Sequence, residues 1–274
     1  MTRPANWLSR KHDGLPLAIL TAWDALSGAL VAEAGADAVL VGDSLAMVVL
    51  GHATTLPVTL EEMLHHCRAV GRGVAAVMAD PSTQPLLICD LPFLSYQCSP
   101  GEALAAAGQV LKTTPAAAVK LEGAEPETLE VVDRLVRSGI PVMGHLGLTP
   151  QSVHQLGYRR QANDPITQER VCRQAQALQE AGCFALVLEH VPAVLAQRLQ
   201  HELRIPLIGI GAGDHCDGQV RVTADLLGLT TRQPPFSPPL LNLRSQGLEA
   251  LKQWVAEQHE HGPTSSASPA TPHC

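Results

Sequence analysis

Val39-Leu40-Val41-Gly42-Asp43-Ser44 is a short apolar run that stops on a carboxylate and a hydroxyl. Such a run reads as a strand buried on both faces, as in a parallel sheet. A carboxylate just past its end stands at a rim, where a ligand can reach it. The pattern recurs in both directions along the chain. Leu17 to Thr21 precedes Asp24, and Leu86 to Cys89 precedes Asp90. Ala117 to Leu121 precedes Glu122, Pro141 to Met143 precedes Gly144-His145, and Phe184 to Leu188 precedes Glu189. Ile205 to Ile210 runs into Gly211-Ala212-Gly213, and an eighth, weaker strand with Asp225 is expected within Gln219 to Leu229.

Helix-like segments separate these runs. Thr59 with Glu62 fits a capping box, and Ser99-Pro100 fits an N-cap followed by proline at the first helical position. Eight strands alternating with helices, with no long linker, predict a single-domain (β/α)8 TIM barrel. A doubly wound dinucleotide fold would need GxGxxG after the first strand, and none is there. The expected boundaries are a lead-in over 1–14, the barrel with a terminal helix over 15–260, and a disordered tail over 261–274. Leu45 to Val58 and residues 148–166 are long for connections after strands, and long loops there are often functional.

Bulk properties agree. The chain has 274 residues, 46% of them hydrophobic, enough for one large core. The net charge is −7 with 3% aromatics, which counts against nucleic acid and anionic membrane as partners. Seven scattered cysteines without a CxxC pair read as reduced thiols. Met1 to Lys11 lacks the apolar core of a secretory signal, so the expectation is a cytoplasmic protein.

In a barrel the residues that follow the strands face one mouth. Asp43, Asp90 and Glu122 on successive strands form a hard-oxygen set, which points to Mg2+, with Mn2+ as substitute. Lys120 lies two residues before Glu122 and so points to the same side of its strand. It can hold a substrate carboxylate or form a salt bridge with Asp43 or Asp90. Glu189 ends a very apolar run, so desolvation would make it a usable base; a structural carboxylate bonded to backbone is the alternative. His145 is a hydrogen-bond donor or a base, and Ser44 a carboxylate binder. These residues reach as far as metal-assisted proton abstraction beside a carbonyl.

The motifs carry the reading further. Val41-Gly42-Asp43-Ser44-Leu45, Gly51-His52 with Thr55-Leu56-Pro57-Val58-Thr59, Asp90-Leu91-Pro92-Phe93 and Val119-Lys120-Leu121-Glu122-Gly123 stand in family order. So do Gly144-His145-Leu146-Gly147-Leu148-Thr149-Pro150-Gln151, Leu186-Val187-Leu188-Glu189 and Ile208-Gly209-Ile210-Gly211-Ala212-Gly213. Together they resemble the 3-methyl-2-oxobutanoate (ketopantoate) hydroxymethyltransferase family over residues 17–230. Departures fall at Trp23, Ala46, residues 81–85, 156–162 and 233–238.

The resemblance implies a barrel of the phosphoenolpyruvate mutase/isocitrate lyase-like type. It implies transfer of a one-carbon unit from 5,10-methylenetetrahydrofolate to 2-oxoisovalerate, giving 2-dehydropantoate for pantothenate and coenzyme A. It implies Asp43, Asp90 and Glu122 around Mg2+, and Asp43, Ser44, Asp90 and Lys120 as substrate contacts, with Glu189 as the proton acceptor. It also implies a homo-oligomer, often a decamer. A 2-oxo-acid lyase or mutase on the same barrel, or a non-catalytic 2-oxo-acid binder, are the competing readings.

Overall fold

The computed structural model describes residues 4–260, so the tail expected at 261–274 lies outside the described residues. Eight parallel strands close into a barrel in chain order: β1 (Leu17–Thr21), β2 (Ala38–Val41), β3 (Leu86–Asp90), β4 (Ala118–Glu122), β5 (Val142–Gly147), β6 (Ala185–Glu189), β7 (Leu207–Ile210) and β8 (Gly218–Arg221). The helices are α1 (Ala5–His12), α2 (Ala25–Glu33), α3 (Leu45–Val48), α4 (Leu60–Val77), α5 (Pro100–Thr113), α6 (Pro126–Arg137), α7 (Val153–Leu156), α8 (Pro165–Glu180), α9 (Ala193–Glu202), α10 (Thr223–Leu226) and α11 (Leu243–Glu260).

Side chains alternate across each strand, which builds two cores from one run of sequence. Ala38, Leu40, Leu86, Ile88, Ala118, Ala185 and Val187 fill the barrel interior. Val39, Val41, Leu87, Cys89, Val119, Leu121, Leu186 and Leu188 point outward into the helix layer. This explains the uninterrupted apolar runs: both faces are buried.

Trp7 of α1 seals the end of the barrel beneath the strands. It is fully buried and meets Phe184 edge to face at 5.5 Å. Arg10 bonds Asp37 at 2.6 Å and Lys11 bonds Asp217 at 2.7 Å, fastening the helix there. The expected lead-in is therefore largely a helix.

The capping box of α4 is present: the Glu62 carboxylate accepts from Thr59 N at 2.8 Å, and Thr59 Oγ1 accepts from Glu62 N at 3.2 Å. Ser99 likewise accepts from Glu102 N to start α5. Helices α2 and α4 cross in close contact through Gly28 and Gly73. A Cβ on Gly28 would stand 2.6 Å from the Val70 carbonyl oxygen, and one on Gly73 would stand 2.0 Å from that of Ala25.

Several boundaries differ from the sequence expectation, and α3 lies within the connection expected over Leu45 to Val58. β5 continues past Met143 through His145 to Gly147. β8 occupies only Gly218–Arg221, and α10 follows where the rest of the strand was expected. Residues 148–166 hold a short 3-10 turn at Pro150–Ser152 and α7. Among the described residues no helix is long and apolar enough to cross a membrane.

Candidate active site

The alternation that builds the core also builds the site. Leu86 and Ile88 point inward on β3, so Asp90 does too. By the same parity Lys120 and Glu122 follow Ala118 on β4, His145 follows Met143 on β5, and Glu189 follows Val187 on β6. The register then sets Asp90 beside Lys120 and Glu122 beside His145 on neighbouring strands. Asp43 and Ser44 arrive from the end of β2. These seven residues line one cavity of about 90 Å3 at the C-terminal mouth of the barrel, with Thr21 from β1.

Asp24 and Asp225, the other rim acids, do not line it. Asp24 caps α2 by accepting from Ser27 N at 2.7 Å. Asp225 lies in α10 and accepts from Thr230 Oγ1 at 2.7 Å. Both are the structural carboxylates that a strand-end acid often is.

The acids in the cavity are buried and close together. Lys120 Nζ lies 3.2 Å from Asp90 Oδ2, and that oxygen also accepts from Asp43 N at 3.0 Å. Burial, with Asp90 and Glu122 nearby, pushes the Asp43 carboxyl up to about 8. Burial also raises Asp90, against the pull of the Lys120 charge. Desolvation works against the charge on Lys120, but Asp90, Asp43 and Glu122 outweigh it and hold the ammonium above its ordinary value.

His145 lies between two carboxylates, with Nδ1 3.5 Å from Glu122 Oε1 and Nε2 3.3 Å from Glu189 Oε2. Neither contact is aligned as a hydrogen bond: Glu122 Oε1 and His145 Nε2 lack a partner by that criterion, as does Asp90 Oδ1. Burial and the Lys120 charge pull His145 down, yet the two carboxylates prevail and carry it up to about 9. Ser44 leads into α3 without using its hydroxyl as a cap, so the oxygen is free for a ligand.

Sequence reading missed two residues of this site. Gln151 and Tyr96 are buried and bonded to each other at 2.8 Å, and they touch the acids from behind. Gln151 stands in a quoted motif, but a neutral amide gives no sign in sequence of which carboxylate it will meet.

The profile of the family described as Ketopantoate hydroxymethyltransferase matches residues 2–263. The chain belongs to this family. The 3-methyl-2-oxobutanoate hydroxymethyltransferase of Parasynechococcus marenigrum (strain WH8102) is 67% identical over 270 residues, covering 98% of this chain and 99% of that protein. The one from Synechococcus sp. (strain CC9902) is 65% identical, covering 99% and 100%. Ketopantoate hydroxymethyltransferases are transferases, and that activity is the one this barrel carries.

Solved structures agree on the fold. Phosphonopyruvate hydrolase in complex with oxalate and Mg++ superposes with a TM-score of 0.63 at 12% identity, covering 100% of this chain and 92% of that one. 2,3-Dimethylmalate lyase, a PEP mutase/isocitrate lyase superfamily member, gives 0.57 at 16%, covering 99% and 92%. Both neighbours share the barrel fold of this chain.

Proposed function

We propose that the cavity binds 3-methyl-2-oxobutanoate beside a divalent cation, Mg2+ or Mn2+, and that Glu189 removes its C3 proton. One observation carries this reading. Four carboxylates, Asp43, Asp90, Glu122 and Glu189, face only Lys120 and His145 as cations. With all six ionised the cavity lacks two positive charges, and like-charged acids crowded out of water repel unless a cation stands among them.

The residues fit such an ion. The donors are hard oxygens, and Asp90 Oδ1 and Glu122 Oε1 are buried with no hydrogen-bond partner. Among the described residues no three His, Cys, Asp or Glu side chains form a ready-made cage. Mg2+ does not ask for one, because it commonly takes one or two carboxylates and completes its shell with water and substrate. Asp43 and Asp90, with Glu122 behind them, would hold it. A bound cation there supplies Lewis acidity to the keto oxygen. Mg++ with oxalate in the phosphonopyruvate hydrolase neighbour supports this choice of ion and ligand class.

The chain's own groups do the rest. Lys120, kept charged by its acids, and the Ser44 hydroxyl hold the substrate carboxylate. Glu189 accepts the proton from C3, and the charged His145 beside it holds that carboxylate in place. Water opens the methylene bridge of 5,10-methylenetetrahydrofolate, both of its C–N bonds break, and tetrahydrofolate leaves. The C3 electron pair attacks the carbon so released at the formaldehyde level, and its oxygen takes up the proton to become the new hydroxyl. A cavity of about 90 Å3 suits a five-carbon acid but not a folate, so the co-substrate docks outside at the mouth.

We also propose a cytoplasmic homo-oligomer. Leu248, Leu251, Trp254 and Val255 on α11 are all exposed in the single chain, and an apolar helix face of this kind supports burial against a second copy. Sedimentation tests it: a monomer at micromolar concentration would remove the reading.

Deuterium exchange tests the chemistry. Incubation with Mg2+ and 3-methyl-2-oxobutanoate in D2O should deuterate C3, and adding methylenetetrahydrofolate should yield dehydropantoate. Exchange that persists undiminished in EDTA would overturn the metal assignment. Cleavage of a longer 2-oxo acid without transfer would favour a lyase.

A further inference from the structure

Gln151 sits in the turn that follows β5, and every polar atom of its side chain is engaged. Nε2 donates to Asp43 Oδ2 at 2.9 Å and to the Leu91 carbonyl at 3.0 Å. Oε1 accepts from Tyr96 OH at 2.8 Å and from Gln97 Nε2 at 3.0 Å. A primary amide has two donors and about two acceptor sites, so this one is saturated.

Saturation fixes its orientation. Turning the amide over would set Oε1 against the Leu91 carbonyl oxygen, which has no proton to donate. The same turn would set Nε2 against the Gln97 amide nitrogen. The Gln151 backbone adds a further contact: its N–H donates to Glu122 Oε2 at 3.0 Å. One residue thus grips carboxylates from two different strands, and leaves Glu122 Oε1 unpartnered.

Tyr96 braces the arrangement. It is 1% exposed, and its hydroxyl accepts from Glu122 N at 3.0 Å. A phenol has one proton. The Glu122 carbonyl at 3.2 Å and Gln151 Oε1 at 2.8 Å compete for it, and the shorter contact takes it. The chain of contacts therefore runs from the β4 backbone through Tyr96 to the Gln151 amide and on to Asp43.

We propose that Gln151, braced by Tyr96, is a positioning residue that presets Asp43 and Glu122 to receive the divalent cation. It holds one oxygen of each acid and keeps the carboxylates from swinging apart under their mutual repulsion. Partners of this outer kind commonly change metal affinity by about 10- to 100-fold when removed. The inference rests on the metal reading given above.

The test is calorimetric titration of the full-length protein with Mg2+ alone, no substrate present. Gln151→Met keeps the length of the side chain and removes both amide donors. It should weaken Mg2+ binding about 10- to 100-fold while circular dichroism still reports a folded barrel. The KM for 3-methyl-2-oxobutanoate in the exchange assay should rise at elevated Mg2+ less than at low Mg2+, which a purely structural role would not produce. Tyr96→Phe removes the brace but leaves the amide, and should give a smaller loss of the same kind. Unchanged Mg2+ affinity in folded Gln151→Met overturns the proposal. If that variant does not fold, unchanged affinity in folded Tyr96→Phe overturns it instead. A wild-type protein that binds no Mg2+ overturns the metal reading itself, and that failure shows before any variant is made.

Discussion

His145 Nε2 stands 3.3 Å from Glu189 Oε2 because β5 and β6 pair Gly147 with Glu189, two residues beyond His145. Both side chains point into the barrel from adjacent strands. A protonated imidazole, held up to about 9, therefore lies against the carboxylate proposed as the base. Glu189→Gln keeps the shape and removes the basic oxygen. C3 deuteration should fall by about 100- to 10,000-fold, the usual worth of a positioned base. Binding of 3-methyl-2-oxobutanoate, followed by calorimetry, should change little. Unaltered exchange would remove Glu189 from its role.

Lys120 is buried against Asp90 at 3.2 Å, and without it the acids of the cavity have only His145 as counter-charge. Breaking a buried pair by deleting one partner commonly costs about 3–5 kcal/mol. Lys120→Met should lower the denaturation midpoint of the metal-free protein by a corresponding amount. Saturating Mg2+ should restore part of the loss, because the ion replaces the missing positive charge. Substrate affinity should not return, since the ammonium proposed to hold its carboxylate is gone. A metal-free variant as stable as the parent would show that Lys120 does not balance these acids.

Asp43 gives the metal-free protein a pH signature. Its carboxyl is raised from 3.8 to about 8, chiefly by burial, so the folded state binds this proton more tightly than the unfolded chain. The stabilisation is fully present below pH 3.8 and is lost as pH rises toward 8. Urea denaturation in EDTA across this window should show a decline that Asp43→Asn flattens. Added Mg2+ competes with the same proton, so its affinity should climb over the same range. Parallel curves for parent and Asp43→Asn would contradict this assignment.

The strands that sequence makes legible are those buried on both faces. Ala38–Val41, Leu86–Asp90 and Ala185–Glu189 are apolar at nearly every position up to the acid that ends them. β8 gives a weak signal because Gly218-Gln219-Val220-Arg221 is short and alternates buried with half-buried residues. β5 reads shorter in sequence than in the fold for a related reason. Its inward residue at the mouth is His145, and the flanking Gly144 and Gly147 look like a turn until the neighbouring strands are in place.

The charged half of the site is legible from position, because an acid that closes an apolar run stands at the mouth of the barrel. Parity adds only that Lys120 shares the side of Glu122, and Asp43, two residues beyond the outward Val41, reaches the cavity from past the end of β2. Gln151 and Tyr96 escaped that logic. Gln151 is 108 residues from the Asp43 it bonds and 55 from Tyr96. No periodicity links such positions; only the closed ring brings them together.

Tyr158 offers a way to test whether the mouth of the barrel keeps the two proposed ligands apart. The inner cavity of about 90 Å3 is the proposed site of the acid, and Met47, three residues beyond Ser44, lines a second cleft of about 350 Å3 with Val48, His52 and Arg232. Tyr158 is 47% exposed, and its hydroxyl reaches Met47 Sδ at 3.4 Å, which sets the tyrosine against a residue of that cleft. An exposed aromatic face at that place suits a flat heterocycle. Tyr158→Ala should raise the KM for methylenetetrahydrofolate severalfold, because base-sized stacking on one ring is worth about 1–3 kcal/mol. C3 deuteration without folate should stay at the parental rate, since none of the groups that hold the acid or its proton has moved. Equal losses in exchange and transfer would place Tyr158 with the acid instead, and the folate would then have to enter by another side of the mouth.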